Sequence, residues 1–127
     1  MKSILSTFLF LGFAATAQAQ SVHLKAYDRC VDANGPINNS VVHECAGAAS
    51  DAAKADINRY YKKAQANLAG QSPDDAIKLE NSQKAWLNYR NSHCELAEHY
   101  VGSPMANYCP MKLNAQRAEE LKELAGE

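Results

Sequence analysis

Four cysteines and four histidines are the residues of this chain whose side chains are best suited to bond formation or metal binding. His93 directly precedes Cys94, and His43 lies two positions before Cys45. A zinc site needs three or four such ligands within tetrahedral reach. The chain has no C-x-x-C or H-x-x-x-H pair, and no C-x-x-C-H segment for haem. We therefore expect no metal and no cofactor, and metal handling through these histidines and free thiols stays an alternative hypothesis.

Catalytic groups show no recognisable arrangement either. Serine, histidine and acidic residues are present, but there is no G-x-S-x-G turn or similar setting for a nucleophile. Asp74 and Asp75 stand where a helix begins, and Glu119 and Glu120 stand on a charged helix, so helix capping and solvation explain these carboxylates. We expect no catalytic residue, and a protein that is not an enzyme.

The N-terminal segment has the pattern of an export signal. Lys2 is followed by a mainly apolar run over residues 4–13 and by a small-x-small pattern that ends at Ala19. The apolar run is shorter than the roughly 20 residues that span a bilayer. We predict a signal peptide over residues 1–19, a single mature domain over residues 20–127, a periplasmic or secreted location and no membrane span after cleavage.

All four cysteines remain after this cleavage, and an exported small domain normally pairs its cysteines. Cys45 follows Cys30 by 15 positions, and Cys109 follows Cys94 by the same 15. These two local pairs are the favoured disulfides, each stabilising by about 3 kcal/mol in the chain-entropy model. The main rival is Cys45 with Cys94, because a helical hairpin that turns near Gly70 brings them level.

The charge of the mature chain argues against one class of partner. Removal of Lys2 leaves 12 basic against 14 acidic residues, a net charge of −2. Proteins that bind nucleic acid normally carry a clustered basic face. We therefore expect no nucleic-acid partner.

The N-terminal half of the mature chain is expected to form an irregular arm and one long helix. The arm covers residues 22–39 and is held by Cys30. The helix begins with Asn39 or Ser40 as its N-cap and ends near Gly70. One broad apolar stripe marks this helix, formed by Val42, Cys45, Ala49, Ala53, Ile57, Tyr60, Tyr61, Ala64 and Leu68.

The C-terminal half is expected to form two more helices. Ser72 and Pro73 cap and open the first of them, which runs to about Tyr100. Its predicted inward side chains are Ile77, Leu79, Trp86, Tyr89, Leu96 and Tyr100. Pro110 opens the last helix, whose apolar side chains are Leu113, Leu121 and Leu124. The predicted fold is all-α: an antiparallel helical hairpin plus a C-terminal helix, stabilised by disulfides.

Polar and aromatic side chains are mixed on one face of the second long helix. Gln83, Trp86, Tyr89 and Arg90 lie at helical spacing there, and Arg117 lies on the apolar stripe of the last helix. A buried glutamine or arginine must find hydrogen-bond partners. These residues therefore form either a structural network, completed by tyrosine hydroxyls and Asn58, or a face that binds a partner.

Three groups of residues carry a resemblance to a known family: Q-x-x-W-L-x-Y-R-x-x-x-C over residues 83–94, G-S-P-M over residues 102–105, and the downstream Cys109, Leu113, Arg117 and Leu121. The first long helix adds Cys45, Ile57, Asn58 and Tyr61. From Cys30 to Leu121 the chain resembles the LprI-type lysozyme-inhibitor domain of exported bacterial proteins.

The resemblance implies a helical, disulfide-bonded periplasmic or secreted domain that inhibits host-type (c-type) lysozyme by occluding its cleft. The predicted partner loop is formed by Gly102, Ser103, Pro104 and Met105, because tethered loops often carry binding. Its alternative is a plain connection between helices. A structural or assembly role in the cell envelope, without lysozyme activity, is the alternative function.

Overall fold

A computed structural model describes residues 20–127, and the predicted signal peptide lies outside the described residues. The described part folds into four helices and contains no strand; they are α1 (Val22–Ala33), α2 (Asn39–Gln71), α3 (Pro73–Tyr100) and α4 (Met105–Ala125). The predicted all-α class is confirmed.

Helices α2 and α4 lie parallel, side by side, with their residues in register. Three side-chain contacts join residues 64 positions apart: His43 with Asn107, Ser50 with Asn114, and Lys63 with Glu127. Fully buried alanines line the contact on both helices: Ala46, Ala53 and Ala64 on α2, and Ala115 on α4. Small side chains let two helix axes approach to about 8 Å, which accounts for alanine at these buried positions.

Helix α3 runs antiparallel to α4. The contacts that establish this direction are Cys94 with Cys109, Arg90 with Asn114, and Gln83 with Arg117. Ser72 alone joins α2 to α3, and its hydroxyl caps α3 by accepting a hydrogen bond from the Asp75 N–H at 3.4 Å. The predicted start of this helix at Ser72 and Pro73 is confirmed.

The N-terminal arm is not irregular, and this prediction was wrong. Ser21 accepts a hydrogen bond from the His23 N–H at 3.2 Å and so caps helix α1. The buried side chains of α1 are His23 and Tyr27, and Leu24 and Val31 pack beside Tyr27 at helical spacing. Helix α1 is held against α2 by the Cys30–Cys45 bond and by a 3.0 Å contact from His23 to Asp56.

Three predicted helix boundaries also need correction. The N-cap of α2 is Asn38, whose side chain accepts hydrogen bonds from the N–H groups of the two residues after Asn39. Gly70 lies inside α2 and does not end it. Pro110 lies inside α4 and does not open it, because the helix has already begun at Met105.

Helix α3 buries a narrower face than predicted. Its fully buried side chains are Ala76 and Leu79 near one end and Cys94 and Ala97 near the other. Ile77, Tyr89, Leu96 and Tyr100, predicted to face inward, are exposed, and so is Leu124 on α4. Helix α3 thus buries one pair of residues near each of its ends. Most of its larger apolar side chains lie on the flanks of the helix.

Candidate partner-binding surface

Arg117 is the buried end of a polar network between α3 and α4. Only 7% of this residue is exposed. Its Nε donates to Gln83 Oε1 at 2.9 Å, one terminal nitrogen donates to Glu120 at 2.9 Å, and the other donates to Ser82 at 3.3 Å. Every nitrogen of this guanidinium therefore has a partner, as a buried arginine requires.

Arg90 extends a second polar chain across three helices. Its Nη1 donates to the Asn114 side-chain oxygen at 2.9 Å, and the Asn114 amide donates to the Ser50 hydroxyl at 2.8 Å. The remaining nitrogens of Arg90 donate to Asn91. Partial burial lowers the pKa of the Arg90 guanidinium from its usual value, because a buried charge loses hydration. Ser50 and Asn114 are both buried, so this chain holds the bundle together.

Trp86 lies between these two polar groups. Its half-buried ring has the Arg90 guanidinium 5.2 Å and the Arg117 guanidinium 5.7 Å from its centroid. The indole also packs against the core cluster that contains Ile57 and Leu121. Cation–π contacts of this kind add about 0.5–2 kcal/mol each. The structure thus brings together Gln83, Trp86, Arg90 and Arg117 in a largely structural arrangement.

Two expected members of this network lie outside it. Tyr89 is 54% exposed, and its ring stacks on His93 with the centroids 5.3 Å apart. Asn58 is exposed on α2. The tyrosine hydroxyls also stay outside, since no hydrogen bond in the described region joins one to Arg90 or Arg117. Asn114 and Ser50 complete the network instead. Neither residue stands in a sequence pattern that predicts such a role.

An exposed row of side chains runs along the C-terminal half of α3. We call it the tyrosine stripe, and it consists of Tyr89, His93, Leu96 and Tyr100. Leu96 is 57% exposed and Tyr100 is 84% exposed. Scattered exposed apolar residues are ordinary, whereas a contiguous row of this kind is typical of surfaces that bind a partner.

The stripe ends in a short, exposed connection, residues 100–104, which we call the α3–α4 turn. Val101 in this turn is 73% exposed. Gly102 has φ 144°, a conformation that residues with a Cβ rarely adopt, and its N–H donates to the Ala97 carbonyl at 3.2 Å. The predicted partner loop is therefore a tight turn, with Ser103 and Pro104 inside it and Met105 already the first residue of α4.

A disulfide fixes the base of this turn. Cys94 and Cys109, on either side of it, are joined and almost fully buried, with their Cα atoms 5.5 Å apart. Met105 and Leu113 pack against the same bond. The inner side of the turn faces a shallow depression of about 360 Å³ beside the start of α2, where His43 contacts Asn107. The disulfide therefore anchors the base of the turn, and the other side of the turn borders open space.

A polar cleft of about 390 Å³ opens on the opposite flank of α3, between α2 and α4. Its charged side chains are Asp51, Lys54, Arg90, Glu95 and Glu98. Asp51 and Lys54 pair with each other at 2.8 Å. No local sequence pattern predicts this cleft, because its walls come from three helices that are far apart in the chain.

The histidines do not form a metal centre. Within residues 20–127, no three side chains of histidine, cysteine, aspartate or glutamate lie close enough to hold an ion. All four cysteines are consumed by the two disulfides. In the same part of the chain, none of the helices combines the length and the apolar character that crossing a bilayer requires.

Comparison with known proteins gives one assignment. The family described as "Lysozyme inhibitor LprI" matches residues 30–121, which cover helices α2 and α3, the last turn of α1 and most of α4. No curated protein and no solved structure matches the chain. Because the family match spans well over half of the sequence, the chain belongs to the LprI lysozyme inhibitor family.

Proposed function

We propose that this protein is an exported inhibitor of c-type lysozyme, and that it binds the enzyme through the α3–α4 turn. The turn enters the substrate cleft of the lysozyme and keeps the cell-wall polymer out. Inhibition of this kind depends on shape and contact, and it requires no bond to be made or broken. The family match supports the partner, and the exposed side chains of the turn support the mode of binding.

The single observation that carries this mode is the exposure of Tyr100 and Val101 in a turn whose base a disulfide fixes. Tyrosine is among the residues most enriched at the energetic centres of protein interfaces, because it buries a large area for little conformational entropy. Interface tyrosines gain most when they enter a pocket that excludes water. A concave enzyme cleft provides such a pocket.

The Cys94–Cys109 bond favours binding by restricting the turn before the partner arrives. A loop that is free in solution must lose conformational freedom when it binds, and this loss weakens the complex. Here the disulfide and the hydrogen bonds from Val101 and Gly102 to the Ala97 carbonyl, at 2.9 and 3.2 Å, already hold the turn. Little ordering then remains for the complex to impose.

The test is lysis of cell walls by c-type lysozyme with increasing amounts of protein purified after export. We expect the wild type to slow lysis, and Tyr100→Ala to need at least about tenfold more protein, which corresponds to about 1.4 kcal/mol. Ile77→Ala is the matched control, because Ile77 is a 55% exposed apolar residue at the far end of the same helix. Undiminished lysis at excess wild-type protein would refute the function.

An envelope assembly role without lysozyme activity is the second candidate. It is favoured by the internal bonding of Arg117 and the half-buried position of Trp86, which give most of the family motif a structural task. Under this alternative the wild type would not slow lysis at any concentration. It would still be found in a complex with another envelope protein after crosslinking in the producing cell.

A further inference from the structure

We propose that the tyrosine stripe is the contact surface between two copies of this protein, which pair about a twofold axis into a weak, reversible dimer. The proposal stands on four features of α3: the spacing of the stripe, its preorganisation, the absence of charge along it and its area. It does not depend on the identity of any other partner.

The spacing of the stripe matches a second helix. Its four side chains follow one another at intervals of four, three and four positions, from Tyr89 to Tyr100. This is the repeat by which two helices interlock side chains along a straight seam, and it extends here over about 16 Å of helix. A second copy brings the same repeat, and a twofold arrangement covers both stripes at once.

Part of the stripe is already in a fixed arrangement. The rings of Tyr89 and His93 are stacked, with an angle of 17° between their planes. Side chains held against each other lose less rotational freedom when a partner covers them. Aromatic rings also contribute the largest apolar area per side chain to an interface.

The helix surface around the stripe suits a like partner electrostatically. The neighbouring exposed positions on the solvent side of α3 are Ala85, Ser92 and His99, none of which carries a formal charge at neutral pH. The acidic residues of this part of α3, Glu95 and Glu98, line the polar cleft on the other flank. Two copies can therefore bring these helix faces together without opposing carboxylates from α3, although each protein carries net negative charge.

The exposed area indicates the strength of the pairing. From their exposed fractions, the four side chains offer about 500 Å² per copy, since a fully buried aromatic side chain covers roughly 150–250 Å². A pair would bury about 1,000 Å² in total, the lower bound for a specific interface. The dimer should therefore form at micromolar or higher concentration and dissociate on dilution.

Tyr100 belongs both to the stripe and to the α3–α4 turn. If the turn inhibits lysozyme, as proposed above, the dimer covers one residue of the inhibitory surface. Dilution would then release the monomer, which is the form that binds lysozyme. This consequence alone rests on the proposed function, whereas the dimer can be tested without any lysozyme.

Sedimentation equilibrium of the disulfide-bonded protein over a hundredfold range of concentration tests the dimer. We expect the wild type to show a reversible monomer–dimer equilibrium, and Leu96→Gln to raise its dissociation constant at least tenfold. Ile77→Gln, an equally exposed change outside the stripe, should leave the constant unchanged. Circular dichroism verifies that both variants keep the helical fold.

Three outcomes would overturn the proposal. The wild type could remain a monomer at every concentration, or both variants could dimerise like the wild type. Alternatively, Leu96→Gln could weaken binding to lysozyme while the wild type stays monomeric, which would assign the stripe to the enzyme. Inhibition by a strictly monomeric protein would retain the proposed function and reject the dimer, so the two can fail separately.

Discussion

Asn114 on α4 donates a hydrogen bond of 2.8 Å to Ser50 on α2, and both residues are buried. The same asparagine accepts a bond of 2.9 Å from Arg90 on α3. One amide thus uses its donor and its acceptor to join the three longest helices. A neutral amide suits this position because it can satisfy a hydroxyl and a guanidinium at the same time.

Asn114→Ala should lower the free energy of unfolding by about 2–3 kcal/mol, because the buried Ser50 hydroxyl and one Arg90 nitrogen both lose their partner. Urea unfolding of the disulfide-bonded protein measures this change. Asn91→Ala is the control, since Asn91 also binds Arg90 but is exposed, and its loss should cost less than about 0.5 kcal/mol. Equal effects of the two variants would contradict the structural role of Asn114.

Two substitutions of Arg117 separate the contribution of its charge to stability from the contribution of its packing. Arg117→Met keeps a long apolar side chain and leaves Glu120 free to be hydrated, because that carboxylate is 44% exposed. We expect a loss of about 1–2 kcal/mol for Arg117→Met and a larger loss for Arg117→Ala, which also leaves a cavity. Thermal unfolding of both variants, with exposed Arg29→Ala as control, provides the comparison. A more stable Arg117→Met protein would indicate that the network serves specificity instead of stability.

Local signals predicted most of the helices but not the faces that they bury. The Ser72-Pro73 start of α3 was recognisable because capping chemistry is local. Helix α1 was missed because it is short: only Leu24, Tyr27 and Val31 mark its apolar face at helical spacing, before the turn residues that begin at Asn34. Side chains on α3 were assigned to the core by their apolar character alone, yet that core is completed by alanines and cysteines.

The polar network of the candidate site could also be predicted only in part, because some of its bonds depend on tertiary packing. Arg117 and Gln83 are polar residues at core positions, so a network between them could be anticipated from the rule that buried polar groups are paired. The role of Asn114 depends on the parallel register of α2 and α4, which no local pattern encodes. The exposure of Tyr100 depends on how the end of α3 and the α3–α4 turn pack against the other helices, which is again a tertiary property.

Acid should weaken the start of α3 through Asp75. The hydrogen bond from Lys78, the charge of Lys78 and the Ser72 hydroxyl hold the pKa of the Asp75 carboxyl below its usual value. A carboxyl whose pKa is lower in the folded state stabilises the protein above its unfolded pKa of about 3.9, and this contribution is lost as the pH falls through the folded pKa. The melting temperatures of wild type and Asp75→Asn should therefore differ at pH 6 and converge below about pH 3. A difference that stays constant across this range would rule out the ion pair as its cause.

Removing either disulfide should destabilise the protein by a similar amount, but only the Cys94–Cys109 bond should affect inhibition. Each closes a loop with a sequence separation of 15, so removing either bond should cost about 3 kcal/mol in the chain-entropy model. The paired changes Cys30→Ser with Cys45→Ser, and Cys94→Ser with Cys109→Ser, provide matched variants for urea unfolding.

Only the second pair removes the bond that spans the α3–α4 turn. At a temperature where circular dichroism shows both variants folded, the second should inhibit lysozyme several-fold less well than the first, because its turn must be ordered on binding. Equal inhibition by the two folded variants would show that the Cys94–Cys109 bond contributes to stability and not to the order of the inhibitory surface.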